Sequence, residues 1–169
     1  GLDASRLREQ IKAIMALNAK LADQGSDFRL LTGCEVDVLK NGLDHDDDLL
    51  AELDVVVASL HVPANNEAEN TKRLIRAAEN KFVHTLGHLT GRLLLEREPY
   101  PVNQEAVLDA CAATGTWVEL NCNPYRFDLD WRLWPKAKAK GVKCVINPDA
   151  HRNSQAAFLR LGVGVARKG

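Results

Sequence analysis

Carboxylates and imidazoles stand at the ends of short apolar runs in this sequence. The residues are Glu35 in GCEVD, His61 in VASLH, His88 in LGHLTGR, and Asp149 and His151 in INPDAH. Neutral imidazole nitrogen and carboxylate oxygen form a ligand set that suits Zn²⁺ or Mn²⁺, and a carboxylate can bridge two ions. We therefore expect these residues to bind divalent metal.

A metal site of this kind predicts hydrolysis of phosphate esters. A divalent ion lowers the pKa of a bound water to give hydroxide, and it offsets the charge that develops on a phosphoryl group. Within the metal set, Glu35 and Asp149 are the expected catalytic residues. One histidine at a strand end is more often structural, but three histidines and two acids at four strand ends favour the metal site.

Two arginines follow predicted strand ends and are candidates for binding a substrate phosphate. They are Arg92 and Arg126, whose guanidinium groups match phosphate oxygens in a bidentate manner. A surface ion pair is an equally good interpretation of either residue. His84 stands at the start of its strand, away from the expected active edge, which favours a structural role.

Strands and helices alternate along the chain and must position these residues. The predicted strands are 28–38, 54–61, 84–90, 117–123 and 143–151. The first predicted helix is capped by Asp3 or Ser5 and closed by Gly25, and the other predicted helices are 46–53, 67–79, 103–115, 130–140 and 153–161. This order is typical of an α/β fold with parallel strands, either a barrel or an open sheet. Such folds place their active sites at the carboxyl ends of the strands.

Alternation along two strands predicts which side chains share a face. Asp149 and His151 have the same parity and should point the same way. Glu119, Asn121 and Asn123 also share a face, so their strand is expected to face polar surroundings.

Composition limits the remaining classes of protein. The 169 residues are 46% apolar and 27% charged, which fits one folded domain and excludes a disordered or fibrous chain. A formal net charge of −1 argues against binding nucleic acid by bulk charge alone. We expect no membrane association, because no apolar run is long enough to cross a bilayer and the first residues are unlike a signal peptide.

The four cysteines form no C-x-x-C pair, and three lie in strand-like runs. They are Cys34, Cys111, Cys122 and Cys144. We expect them to be free, buried thiols in the reducing environment of the cytoplasm.

Five segments resemble the PHP (polymerase and histidinol phosphatase) domain, most closely the C-terminal PHP domain of bacterial family X DNA polymerases. The segments are GCEVDVL, LAELDVVVASLH, LGHLTGRLLLEREPY, VELNCNPYRFDLD and INPDAH. The resemblance covers nearly the whole chain. It implies a distorted barrel of seven βα units, similar to a TIM barrel, with up to three Mn²⁺ or Zn²⁺ ions at the strand ends.

The resemblance also implies roles for individual residues. Glu35 matches the bridging carboxylate of the family, and His61 and His88 match the histidines that complete the shell of one metal. Asp149 and His151 match a final D-x-H motif whose members serve different metals.

Two motifs of the family, H-x-H and T-D-H, are absent and normally lie upstream of the GLD with which this chain begins. The expectation is that residues 1–169 are the C-terminal part of a PHP metallophosphoesterase domain without its first βα units. Such a part would bind fewer than three metals. Its open barrel edge could also pair with a second copy.

The expected function is that of a metal-dependent phosphoesterase domain in a family X DNA polymerase. It would hydrolyse phosphodiesters at 3′ DNA ends during repair, as a 3′–5′ exonuclease that reaches DNA through the full-length polymerase. One alternative is a small-molecule phosphatase similar to histidinol phosphatase. Another is a non-catalytic PHP module that braces a polymerase.

Overall fold

Five parallel strands and one antiparallel strand form the sheet at the centre of this protein. The computed structural model describes residues 2–169. The strands are β1 (Gly33–Leu39), β2 (Gly42–Leu43), β3 (Val55–Ser59), β4 (Thr85–Leu86), β5 (Trp117–Asn121) and β6 (Cys144–Asn147). The sheet order is β2-β1-β3-β4-β5-β6, and only the β1–β2 pair is antiparallel. The predicted α/β class is confirmed.

Helices connect the parallel strands. They are α1 (Ala4–Asp23), α2 (Asp47–Leu50), α3 (Glu67–Glu79), α4 (Gln104–Thr114), α5 (Trp134–Ala139) and α6 (Leu159–Lys168), with 3₁₀ turns at Trp131–Leu133 and Asn153–Phe158. No helix within residues 2–169 combines the length and the apolar character that a membrane span requires.

Side-chain caps fix the ends of the helices that the sequence predicts best. Asn66 accepts a hydrogen bond from the Glu69 N–H, and Asn103 accepts one from the Ala106 N–H, so α3 and α4 begin where their capping residues stand. Gly115 ends α4 with a φ of +78°, a conformation that glycine adopts without steric cost. The predicted α3 has the same bounds as the observed helix.

The core lies between the sheet and its helices. Leu74 of α3 and Leu108 of α4 are almost fully buried, in one core cluster with the strand residues Val56, Leu86 and Leu120. Burying a leucine or valine side chain contributes roughly 1.5–3 kcal/mol. This packing holds the strand ends in a fixed arrangement.

The first strand is shorter than predicted. It begins at Gly33 rather than residue 28, and Phe28 is 62% exposed. The backbone before it is held by the Asn18 side chain, which accepts a hydrogen bond from the Leu30 N–H and donates one to the Leu30 carbonyl. The amide of a helix residue therefore replaces strand pairing in this segment.

The last helix extends beyond its predicted end. The prediction placed it over 153–161, whereas α6 runs to Lys168 and includes Gly162 and Gly164. A Cβ at Gly162 would lie 2.3 Å from Ile146 Cγ2 and 2.7 Å from Cys122 Cβ. Gly162 is thus a contact point between α6 and the sheet rather than a helix end.

All four cysteines are free, as predicted. Cys111 and Cys122 are buried, and Cys34 is partly exposed. The prediction of burial is wrong for Cys144, which is exposed because β6 is an edge strand.

We predict that Gly162→Ala lowers the free energy of unfolding by about 1–3 kcal/mol, because its methyl group overpacks the contact with Ile146 and Cys122. Gly164→Ala is the matched control, since no atom lies within 4 Å of its Cβ position. It should stabilise the helix by roughly 0.5–1 kcal/mol. Urea denaturation measures both variants, and equal stabilities would contradict the close packing of α6.

Candidate metal centre

Three predicted ligands converge at the carboxyl edge of the sheet. His61 and His88 follow the ends of β3 and β4, as predicted. Glu35 is the third residue of β1, so the prediction that it ends its strand is wrong, because β1 begins at Gly33 and continues to Leu39. One carboxylate oxygen of Glu35, Oε1, lies 3.3 Å from His61 Nε2 and 3.2 Å from His88 Nε2. One potential ligand atom from each residue lies within 4.8 Å of the other two. Parallel pairing of β1, β3 and β4 produces this convergence.

Asp37 holds the His61 ring from the side opposite Glu35. Its Oδ1 is hydrogen-bonded to His61 Nδ1, and its backbone N–H donates to Asp44 Oδ1 at 2.9 Å. A carboxylate on Nδ1 fixes the ring and leaves Nε2 for a metal. Sequence reasoning did not select Asp37, although its shared parity with Glu35 in GCEVD was the available signal.

His88 is almost completely buried, with 3% of its surface exposed. Its backbone N–H donates to Glu119 Oε2 at 2.7 Å, and its ring packs edge-to-face on His61 with centroids 5.1 Å apart. The preceding Gly87 is essential for this approach, because a Cβ there would lie 2.3 Å from Ser59 Oγ. His88 is thus fixed by both its backbone and its packing.

The Glu35 carboxylate and the imidazole rings of His61 and His88 are electrostatically complementary. Hydrogen bonds from His61 and then His88 hold the pKa of Glu35 well below its usual range. Glu35, with a further contribution from Asp37, raises the pKa of His61 to about 9. One carboxylate facing two imidazole nitrogens also fits a divalent cation, because a cation can replace the proton of an imidazolium.

Comparison with known proteins gives relatives of two kinds. The chain is 44% identical over 171 residues to the DNA polymerase/3′-5′ exonuclease PolX of Bacillus subtilis, covering 100% of this chain and 29% of that protein. It is 31% identical over 143 residues to a probable phosphatase of Thermoanaerobacter sp. (strain X514), covering 78% of this chain and 56% of that protein. The chain therefore spans less than two thirds of either relative. No family model matches it.

The similarity to PolX extends over the whole chain, as the resemblance of its motifs implies. The resemblance to the PHP domain of family X DNA polymerases is confirmed. The PHP motifs GCEVDVL, LAELDVVVASLH and LGHLTGR supply the three residues of the convergent cluster.

A buried polar network lies behind the cluster in this PHP-like sheet. Glu119 on β5 accepts hydrogen bonds from Asn147 Nδ2 at 3.0 Å and from Asn121 Nδ2 at 3.3 Å, besides the His88 N–H. Burial raises the pKa of Glu119. The predicted polar face of this strand is therefore present at Glu119 and Asn121, and it connects β4, β5 and β6.

The last PHP motif, INPDAH, does not continue β6. The strand ends at Asn147, and Asp149 has a φ of +50°. The Asp149 side chain is 19% exposed and that of His151 is 80% exposed. His151 Nδ1 lies 3.9 Å from Asp149 Oδ1. Because side chains alternate regularly only along extended backbone, the shared direction expected from their parity stays a prediction.

Asp149 and His151 lie outside the cluster of three. Asp149 Oδ2 accepts a hydrogen bond from Asn121 Nδ2 at 3.1 Å and lies 3.5 Å from Arg126 Nε. His151 Nδ1 lies 3.0 Å from the Asp149 carbonyl oxygen. Asn121 thus links Asp149 to the network behind His88, and the ligand roles of Asp149 and His151 stay predictions.

The two candidate phosphate-binding arginines already have protein partners. Arg92 donates to the carbonyls of Arg126 and Phe127 and to Asp130 Oδ2. Arg126 is paired with Asp149. Both side chains make ion pairs, which is what the alternative interpretation expected, and a role in binding phosphate stays a prediction.

The structural role of His84 is confirmed, since its Nδ1 accepts a hydrogen bond from the Val56 N–H at 3.1 Å.

We predict that Asp37→Asn weakens Zn²⁺ binding by about 10–100-fold, because the carboxylate that fixes the His61 ring is replaced by a neutral amide. Glu35→Gln should weaken binding at least as much, since it removes a charged ligand. Competition with a chromogenic chelator measures both affinities. Asp48→Asn, an exposed acid on α2, is the control of equal charge change. Affinities of all three variants within twofold of the parent chain would contradict the centre.

Proposed function

We propose that this chain is the C-terminal part of a PHP metallophosphoesterase domain, over residues 1–169, in a family X DNA polymerase. The observation that carries the proposal is the cluster of Glu35, His61 and His88 at one edge of the sheet. Whole-chain similarity to PolX supports the polymerase context, because the matched segment is 29% of that protein.

The proposed substrate is a phosphodiester at a 3′ DNA end. The Bacillus relative is named for a 3′-5′ exonuclease, and the same chemistry is proposed here for end processing during DNA repair. With a formal net charge of −1, this chain would leave most of the binding to the DNA backbone to other parts of the polymerase. The probable phosphatases support hydrolysis of small phosphate esters as the second candidate.

In the proposed mechanism Glu35, His61 and His88 would hold one divalent ion, Mn²⁺ or Zn²⁺. Such an ion supplies Lewis acidity, which favours hydroxide over water and offsets charge on a phosphoryl group. Asp37 orients His61, and Glu119 anchors the backbone of His88.

The second carboxylate of the proposed site is Asp149. Its hydrogen bond from Asn121 and its ion pair with Arg126 hold it at the end of β6. We propose Asp149 and His151 as ligands of a further ion, and Arg126 as a group that turns from Asp149 to a substrate phosphate. Arg92 is the weaker candidate, because all of its hydrogen bonds shape the loop after β5.

We also propose that the sheet is part of a distorted barrel of the PHP type. Val55, Val57 and Val145 lie on one face and remain partly exposed, and they line a cavity of about 830 Å³. Further βα units would cover this face and pair with the edge strand β6. In their absence the unpaired edge of β6 would favour pairing with a second copy of the chain.

The natural protein that contains this chain should show Mn²⁺-dependent removal of nucleotides from a 3′-recessed duplex. Glu35→Gln should lower kcat/KM by about 100-fold or more, because loss of a residue that binds the metal directly costs more than the roughly 10–100-fold effect of losing a residue that only orients a ligand. His45→Gln, outside the cluster, should retain the parent rate.

Two results would contradict the DNA-end assignment. Faster turnover of histidinol phosphate than of the duplex would favour the small-molecule phosphatase. A full-length protein that contains no divalent transition metal would favour the non-catalytic module.

We expect the isolated chain to self-associate as its concentration rises, because the β6 edge offers unpaired backbone groups. Light scattering across a concentration series measures the mass. A constant monomer mass would contradict pairing through this edge.

A further inference from the structure

Three buried polar atoms near the candidate metal centre lack hydrogen-bond partners within residues 2–169. They are His88 Nδ1, Asp128 Oδ1 and Ser59 Oγ. His88 is 3% exposed and Asp128 is fully buried. Leaving a buried donor or acceptor unpaired costs about 1–3 kcal/mol, so each atom needs a partner.

Asp128 is held in place by the loop that follows His88. Its Oδ2 accepts hydrogen bonds from the backbone N–H and the hydroxyl of Thr90, both at 2.9 Å. Its backbone pairs with Asn121 at the end of β5. Because Oδ2 already has two donors, Oδ1 is the acceptor that remains unused.

Asp128 also interacts electrostatically with His88. Burial raises the pKa of Asp128, while the Thr90 hydrogen bonds and then the charge of His88 oppose that rise. The two side chains therefore interact within the low dielectric of the interior.

His61 supplies a precedent within the same centre, because its Nδ1 is hydrogen-bonded to Asp37. We propose that Asp128 is the equivalent positioning residue for His88, and that its Oδ1 accepts the His88 Nδ1–H, directly or through one buried water, when Nε2 binds metal. This acceptor fixes the proton on Nδ1 and leaves the Nε2 lone pair for the ion. The inference rests on the metal centre described under the proposed function.

Ser59 Oγ is the rival acceptor, since it is also buried without a partner. Its hydroxyl already contributes to lowering the pKa of the Glu35 carboxyl. A carboxylate is also the stronger acceptor for an imidazole N–H than a neutral hydroxyl. Asp128 is therefore the favoured partner.

The test substitutes Asp128→Asn. The two Thr90 donors require the amide oxygen of Asn at the Oδ2 position, so the NH₂ group would face the His88 Nδ1–H as a second donor. We expect Zn²⁺ affinity to fall by about 10–100-fold. In the Zn²⁺-saturated chain labelled with ¹⁵N-histidine, the Nδ1 proton of His88 should move upfield and exchange faster with water.

Asp130→Asn is the matched control, because Asp130 lies on the same loop and bonds to Arg92 and Arg132 instead. It should leave the Nδ1 proton unmoved. An unchanged Nδ1 proton in Asp128→Asn, or a shift in Ser59→Ala alone, would overturn the inference while leaving the metal centre intact.

The parent chain decides the matter if Asp128→Asn does not fold. A slowly exchanging, downfield Nδ1 proton on Zn²⁺-bound His88 supports the inference, and coordination through Nδ1 or rapid exchange overturns it. A parent chain that binds no Zn²⁺ overturns the metal centre itself and this inference with it.

Discussion

Parallel pairing of β1, β3 and β4 is the constraint on which the candidate centre depends. The register places Glu35 opposite Val57 and Val57 opposite Thr85, so these residues of the three strands form one row across the sheet. Glu35 then meets His61 and His88 within hydrogen-bonding range of both rings. A shift of one residue would turn Glu35 to the opposite face of the sheet and separate it from both histidines.

Buried polar groups behind this edge also hold the strand ends in place. Glu119 would be costly inside the sheet without partners, and it is satisfied by the His88 N–H and by the amides of Asn121 and Asn147. These bonds tie the ends of β4, β5 and β6 together. His88 is therefore rigid, while His61 is partly exposed and depends on Asp37 for its orientation.

The sequence predicted those elements whose local signals agree with their tertiary surroundings. Helix α3 has its predicted bounds because the Asn66 cap and the apolar spacing indicate the same segment. The strand predicted over 143–151 is too long. The alternating pattern of residue types continues in the sequence beyond Asn147, although the backbone has already turned at Pro148 and Asp149. The helix predicted to end before Gly162 is too short. Glycine often ends a helix, but here Gly162 lies within α6 and permits its close packing on Ile146.

The sequence by itself determined the α/β class and the types of residue at the strand ends, because periodicity and residue chemistry are local properties. It also determined the resemblance to PHP domains, which its motifs carry. Only the tertiary structure decided which residues meet, because their contacts span up to 53 positions of the chain, from Glu35 to His88. The structure also assigned Asp37 to His61 and ended β6 at Asn147, ahead of Asp149 and His151, since both outcomes depend on backbone direction rather than on composition.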